Sequence, residues 1–230
     1  MLAAGLGTRL RPITDTIPKC LVPIHGRPLL GYWFELLFRD GVVDRALVNT
    51  HYHAAAVEAF VEQSVWRGHV ETIYESELLG TGGTVLRNRA WFGQEPFMVV
   101  HADNLSRFCV RNFVAAHQQR PPQAAMTMMT FDTDAPQSCG IVELDTYSLV
   151  QCFYEKVVNP PGTRANGAVY IFEPEVVEYL EGLGRQIIDL STDVIPAFLG
   201  RIATYHNVDY HRDIGNLESL RKASEEYRDE

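Results

Sequence analysis

Two glycines, a hydroxyl and two cations near the amino end of this chain have the types and spacing to hold a polyphosphate. Leu2-Ala3-Ala4-Gly5-Leu6-Gly7-Thr8-Arg9 runs from an apolar stub into a glycine turn, and Lys19 follows behind Pro18. Gly5 and Gly7 permit positive φ and close backbone approach, so the N–H groups of residues 5–8 can converge on an anion. Arg9 offers a planar fork to phosphate oxygens and Lys19 a mobile point charge. This is neither of the common nucleotide signatures. Arg9 and Leu10 stand where a third Rossmann glycine would fall, and Lys19 does not follow a glycine as a P-loop lysine does. A plain glycine turn with surface cations would read the same way, and Arg11 suits a surface role as well as an anion.

These groups need elements to position them. Apolar and β-branched runs predict strands over 46–50, 70–74 and 97–101, and helical spacing predicts helices over 54–66, 84–91 and 110–117. That rhythm implies parallel strands with helices on both faces. Asp103 then follows Phe97-Met98-Val99-Val100 at a strand's carboxyl end, the edge where open α/β sheets bind ligands. A helix N-cap is its alternative role. Leu79-Gly80-Thr81-Gly82-Gly83 falls between a strand and a helix. Glycine there would let a flat base lie against the backbone, and Thr81 offers a hydroxyl; a flexible turn is the alternative. From about residue 124 the texture changes to strands over 125–131, 140–144, 150–154 and 167–172, with helices over 174–180, 193–199 and 217–227. The reading is one domain over 1–230, with a nucleotide-binding half (about 1–123) and a second half (about 124–230).

Residues 2–24, LAAGLGTRLRPITDTIPKCLVPI, resemble the signature of the sugar-1-phosphate nucleotidyltransferases. Later segments agree in order: ELLGTGGTV (77–85), VVHADN (99–104), GIVE (140–143), EK (155–156), NGAVY (166–170) and DIG (213–215). The resemblance implies an α/β fold, a Rossmann-like three-layer α/β/α sandwich with a mixed, mostly parallel central sheet. It implies transfer of a nucleoside monophosphate from a nucleoside triphosphate to a sugar 1-phosphate, with release of pyrophosphate. By the same resemblance Arg9, Lys19 and Asp103 are catalytic, and Asp103 and Asp213 hold Mg²⁺. Leu2, Ala3, Ala4, Gly5, Gly7, Thr8, Arg9, Gly80, Thr81, Gly82 and Gly83 would bind nucleotide. Gly140, Glu155, Lys156 and Asn166 would bind the sugar phosphate.

Three departures stand out. Val157 replaces the proline of the family's E-K-P, and Asn166-Gly167-Ala168 reverses its common N-A-G order. The family also carries several apolar residues before LAAG, where this chain opens at Met1-Leu2. Either the native start lies upstream or the first strand is short, and an upstream extension should add stability through extra ladder bonds. The L-G-T-G-G form and the length look most like the mannose- or heptose-1-phosphate guanylyltransferases, which makes GTP the expected triphosphate. A uridylyltransferase for an N-acetylated sugar phosphate, a thymidylyltransferase for glucose 1-phosphate and a cytidylyltransferase for a phosphocholine-like substrate are the alternatives. A non-catalytic nucleotide-sensing subunit is another, although it would be expected to lose Arg9 or the aspartates.

A net charge of −9 argues against broad nucleic-acid binding while allowing a local cationic pocket. No apolar run approaches the roughly 20 residues that span a bilayer. Cys20, Cys109, Cys139 and Cys152 lack C-x-x-C spacing, so reduced thiols in a cytoplasmic protein are expected rather than a metal or disulfide framework. His51 and His53, two apart in Asn49-Thr50-His51-Tyr52-His53, could form a metal pair, but a packing role at a helix start fits better. Glu77 and the terminal acids Glu225, Glu226, Asp229 and Glu230 read as solvated. Oligomeric state is left open by the sequence.

Overall fold

The computed structural model describes residues 1–228; Asp229 and Glu230, expected at a solvated end, lie outside the described residues. The strands are β1 (Pro23–Ile24), β2 (Arg27–Pro28), β3 (Ala46–Thr50), β4 (Val70–Tyr74), β5 (Phe97–Val100), β6 (Asn104–Arg107), β7 (Met126–Asp132), β8 (Gly140–Leu144), β9 (Val150–Glu155), β10 (Arg164–Phe172), β11 (Ile202–His206) and β12 (Tyr210–Asp213). The helices are α1 (Leu29–Phe38), α2 (Ala54–Gln63), α3 (Gly80–Arg87), α4 (Arg89–Phe92), α5 (Val110–Gln118), α6 (Pro174–Gly182) and α7 (Leu217–Glu226).

The chain divides into two compact units, and the division differs from the expected one near residue 123. The first unit comprises Met1–Leu78, His101–Arg111 and the chain from Asp209; the second comprises Leu79–Val100 and Asn112–Val208. Strand pairing explains why the late segment belongs with the early one. β12 pairs antiparallel with β6, setting Asp213 opposite Asn104 and Tyr210 opposite Arg107.

In the first unit β3 and β4 pair in parallel, and Leu2 makes parallel bridges to Asn49 and His101. The stub ahead of the glycine turn is thus a single bridging residue followed by buried Ala3 and Ala4. Its core gathers Leu10, Val22, Ile24, Leu29, Tyr32, Leu105 and Ile214. The helix α1 escapes the pattern reading because LLGYWFELLF is apolar on nearly every side, which hides a 3.6-residue period. Trp33 from its buried face donates its indole N–H to the Asn104 carbonyl, tying the helix to β6.

In the second unit a six-stranded sheet runs β11-β7-β10-β8-β9, with β5 also on β10. Only β7–β11 is parallel; β5, β7 and β8 all lie antiparallel to β10, and β8 to β9. The expected mixed sheet is present. Parallel pairing continues in the first unit, between β3 and β4 and at the Leu2 bridges, while β7, β8, β9 and β10 follow one another without an intervening α-helix and pair antiparallel. The helix expected over 84–91 starts earlier, at Gly80, because the glycines themselves form its first turn. The segment expected as a helix over 193–199 is a π turn at Leu190–Val194 followed by a 3₁₀ turn at Ile195–Phe198. No helix among the described residues is long and apolar enough to cross a membrane.

Candidate active site

In the first unit the charged residues singled out in the sequence converge. The Lys19 ammonium lies 2.6 Å from Asp103 Oδ2 and 3.3 Å from Asp213 Oδ1. Lys19 is held there by the 3₁₀ turn Lys19–Leu21, which follows the extended Pro18. Burial works against its charge, but Asp103 and Asp213 outweigh that, so its pKa stands above the usual lysine value. Burial likewise opposes ionisation of Asp103, and Lys19, with help from His101, holds its carboxyl below the usual range. Neither aspartate serves as a helix cap. α5 begins only at Val110, and Asn216 caps α7 by accepting from the Ser219 N–H at 2.8 Å.

Arg9 joins this cluster through Gly215. A Cβ built at Gly215 would stand 2.7 Å from Asp213 Oδ2 and 3.2 Å from Arg9 Nη2, so a side chain there would push on both groups. Gly7 adopts φ +63 as expected, and a Cβ there would press on Thr14 at 2.9 Å and Lys19 at 3.2 Å. Gly5 is not in the left-handed region, so that part of the expectation is corrected; it is exposed, and its Cβ position is open. Thr14 donates to the Gly7 carbonyl at 2.7 Å, and Thr8 and Arg9 stand exposed on the turn Thr8–Leu10. Arg11 pairs with Asp15 at the surface.

Asn49 was missed as a positioning residue. Its Oδ1 accepts the Ala3 N–H at 2.7 Å and its amide donates to Glu75 at 3.2 Å, so it fixes the stub from below. Its place in Asn49-Thr50-His51-Tyr52 was the available signal. His51 and His53 do not form a metal pair: their rings meet different carbonyls, those of Glu75 and Asp15. Cys20 is buried, and burial with nearby Asp103 pushes its thiol up to about 12, which keeps it inert.

In the second unit Gly140 pairs with Glu155, and the pairing of Ile141 with Ala165 sets Gly140 beside Asn166. Glu155, Gly140 and Asn166 therefore form one cross-strand row on a single sheet face. A Cβ on Gly140 would strike the Phe153 ring and approach Glu155 Oε2 at 2.7 Å, so the row is notched at its centre. Lys156 turns at φ +50 and its ammonium meets Glu155 Oε1 at 2.8 Å. The reversed N-G-A order has a conformational consequence. Ala168, not a glycine, occupies the left-handed region at φ +53 inside a bulge of β10. Asn166 secures that bulge by accepting the Ala168 N–H at 2.9 Å and donating to the Tyr170 hydroxyl at 2.7 Å.

The glycine loop of this unit faces an unexpected neighbour. The N–H groups of Gly82 and Gly83 both donate to the Ile188 carbonyl, at 2.9 and 3.1 Å. A Cβ on Gly80 would lie 2.5 Å from that same oxygen, and one on Gly83 would collide with the Gln186 carbonyl. These glycines admit a passing chain segment, a use the sequence reading did not foresee.

The first unit thus sets a glycine turn beside a cation held by two carboxylates on an α/β scaffold. The chain belongs to the nucleotidyl transferase family, whose model matches residues 1–230 and so spans both units. It is 30% identical to a mannose-1-phosphate guanylyltransferase of Mycobacterium tuberculosis, over 97% of this chain and 62% of that protein. It is also 30% identical to a UTP–glucose-1-phosphate uridylyltransferase of Synechocystis, over 94% of this chain and 60% of that one. The chain thus spans about three fifths of the curated relatives it matches. Among solved structures, HddC from Yersinia pseudotuberculosis is 26% identical with a TM-score of 0.81, covering 99% of this chain and 97% of that one. A putative glucose-1-phosphate thymidylyltransferase from Bacillus anthracis, at 20% identity and TM-score 0.85 over 100% and 95% of the two chains, shows the same Rossmann-like transferase fold.

Proposed function

We propose that the chain transfers a nucleoside monophosphate from a nucleoside triphosphate to a sugar 1-phosphate. A phosphate oxygen of the sugar phosphate bonds to the α-phosphorus as the bond from that phosphorus to the β-phosphate oxygen breaks, and pyrophosphate leaves. The observation that carries this reading is the convergence of Arg9, Lys19, Asp103 and Asp213 in one unit. Phosphoryl-type transfer needs positioning and neutralised charge more than covalent help. Arg9 and Lys19 supply positive charge for the triphosphate and the departing pyrophosphate, and residues 2–8 supply the backbone cradle.

Two carboxylates converging on one ammonium are a donor set that suits a small divalent cation, since Mg²⁺ takes few protein ligands and fills its shell from phosphates and water. Asp103 and Asp213 would hold it, and it would neutralise phosphate oxygens. In the second unit Glu155 would accept sugar hydroxyls beside the Gly140 notch, Lys156 would meet the sugar 1-phosphate, and Asn166 would complete the row. Gly80, Thr81, Gly82 and Gly83 remain the proposed nucleobase loop, with Gly82 and Gly83 acting through their packing on Ile188.

GTP with a mannose- or heptose-type 1-phosphate is the preferred pair. The guanylyltransferase named among the relatives supports it, as does an HddC structure described as complexed with GMP-PN, 25% identical with a TM-score of 0.81 over 99% and 97% of the two chains. The uridylyltransferase relative makes UTP the first competitor. Free thiols support a cytoplasmic setting. The test is pyrophosphate release from each ribonucleotide and dTTP against a set of sugar 1-phosphates. GTP with mannose or heptose 1-phosphate should be fastest. Turnover with another pair would move the specificity, and no release with any pair would leave a nucleotide-sensing role instead.

A further inference from the structure

The segment that crosses the glycine loop is built as a latch, and one carboxylate works at both of its ends. Asp189 Oδ1 accepts the N–H groups of Ser191 at 2.8 Å and Thr192 at 3.1 Å, capping the turn Leu190–Val194. Asp189 Oδ2 accepts the Thr81 hydroxyl at 3.1 Å. That hydroxyl in turn accepts the Leu190 N–H at 2.7 Å. The Ile188 N–H donates to the Leu79 carbonyl at 3.0 Å, while the Ile188 carbonyl takes both glycine N–H groups. Asp189 is itself steadied, since its N–H donates to Asp193 Oδ2 at 2.8 Å and Arg185 pairs with Asp193 at 2.7 Å.

A loop with three glycines in five residues is conformationally loose when left alone. Here its backbone is pinned at Leu79, Gly82 and Gly83, and its one hydroxyl is pinned by Asp189. Thr81 donates its hydroxyl to Asp189 and accepts from the Leu190 N–H, so its side chain is fixed in direction. We propose that Asp189 is a positioning residue for the nucleotide: through Thr81 it holds the glycine loop in the shape that receives the nucleobase. This rests on the proposed function, in that the loop is taken as the nucleobase side of the site. Preorganisation of this kind lowers the ordering cost of binding without adding a contact to the ligand.

The experiment compares Asp189→Asn, Thr81→Val and the double variant in the full chain. Asparagine keeps an oxygen for the cap but loses the acceptor for Thr81, so it tests the latch with little effect on the turn. Three readouts are taken: the Kd for GTP and UTP by calorimetry, KM for each substrate, and hydrogen exchange at the Gly82 and Gly83 amides. Each single variant should weaken nucleotide binding about tenfold, speed exchange at both amides, and leave KM for the sugar 1-phosphate within about twofold. The double variant should be no worse than Thr81→Val alone, because that variant already removes the bond to Asp189 along with the acceptor for the Leu190 N–H. Thr81→Ser, which restores the hydroxyl, should recover most of the loss seen with Thr81→Val. Unchanged nucleotide Kd, or losses that multiply in the double variant, would overturn the latch. Failure to release pyrophosphate despite normal nucleotide binding would instead sink the transfer reaction and leave the latch standing.

Discussion

Each unit of the molecule holds a lysine against a carboxylate, and the two pairs differ in how much water reaches them. Lys19 is 7% exposed and bridges two aspartates, whereas Lys156 is 59% exposed and meets Glu155 alone. A screened surface pair contributes little and its lysine can swing away. A buried ammonium caught between two carboxylates is fixed before any ligand arrives. The first unit therefore offers preset charge, the arrangement that stabilises a developing anion without reorganisation. The second offers an exposed cation that, on the proposed reading, follows the sugar 1-phosphate.

The largest expected effect comes from cutting each pair. Lys19→Met should lower turnover by roughly 10³-fold and stability by about 2 kcal/mol, allowing for partial exposure of the aspartates. Lys156→Met should instead raise KM for the sugar 1-phosphate about tenfold with an unmoved melting point. Pyrophosphate assays and thermal melts check both, and equal losses of stability would erase the distinction. Arg9→Ala sharpens the same contrast. Its side chain is exposed, so kcat should fall about 10²-fold while the melt stays in place. Full activity would remove Arg9 from the chemistry.

The next effect concerns acid. His211, on β12 two residues before Asp213, is driven down to about 3 by burial, with Asp103 opposing and His101 and Arg212 assisting. The folded protein keeps this ring neutral, while the unfolded chain takes a proton near the usual value of about 6.5. The unfolded state then binds more protons between those values, so stability is full above about 6.5 and falls as pH drops toward 3. His211→Gln should flatten that slope in melts taken across the interval; an unchanged slope would assign acid sensitivity elsewhere.

The smallest effect compares two left-handed positions. Gly7 sits at φ +63 in the first unit, and Ala168 at φ +53 in the second. Ala168→Gly should raise stability by about 0.5–1 kcal/mol, and Gly7→Ala should lower it by more, since its Cβ would also meet Thr14. Denaturant titration of the two variants gives the signs directly.

Much of the first site was legible because its residues sit where local pattern and charge agree. An apolar run ends just ahead of Asp103, Arg9 leaves a glycine turn, and Lys19 follows a proline that breaks the chain. The strands Ala46–Thr50, Val70–Tyr74 and Gly140–Leu144 are legible as short apolar and β-branched runs. What stayed hidden depends on partners far along the chain. The meeting of Thr81 with Asp189 spans 108 residues, and no local rule marks it. The glycines at 80, 82 and 83 advertise a need for space without saying what fills it. The apolar helix α1 carries no polar face to reveal its period, and β12 is too short and charged to look like a strand until its pairing with β6 is known.

The bridging ammonium has a last consequence. Because Lys19 already neutralises half the charge of Asp103 and Asp213 from within, the polypeptide brings its own counter-ion to the acidic pair. Zinc fingers collapse when their ion is stripped away. This protein, by contrast, should keep its shape in a chelating buffer, since any divalent guest enters an architecture that stands without it.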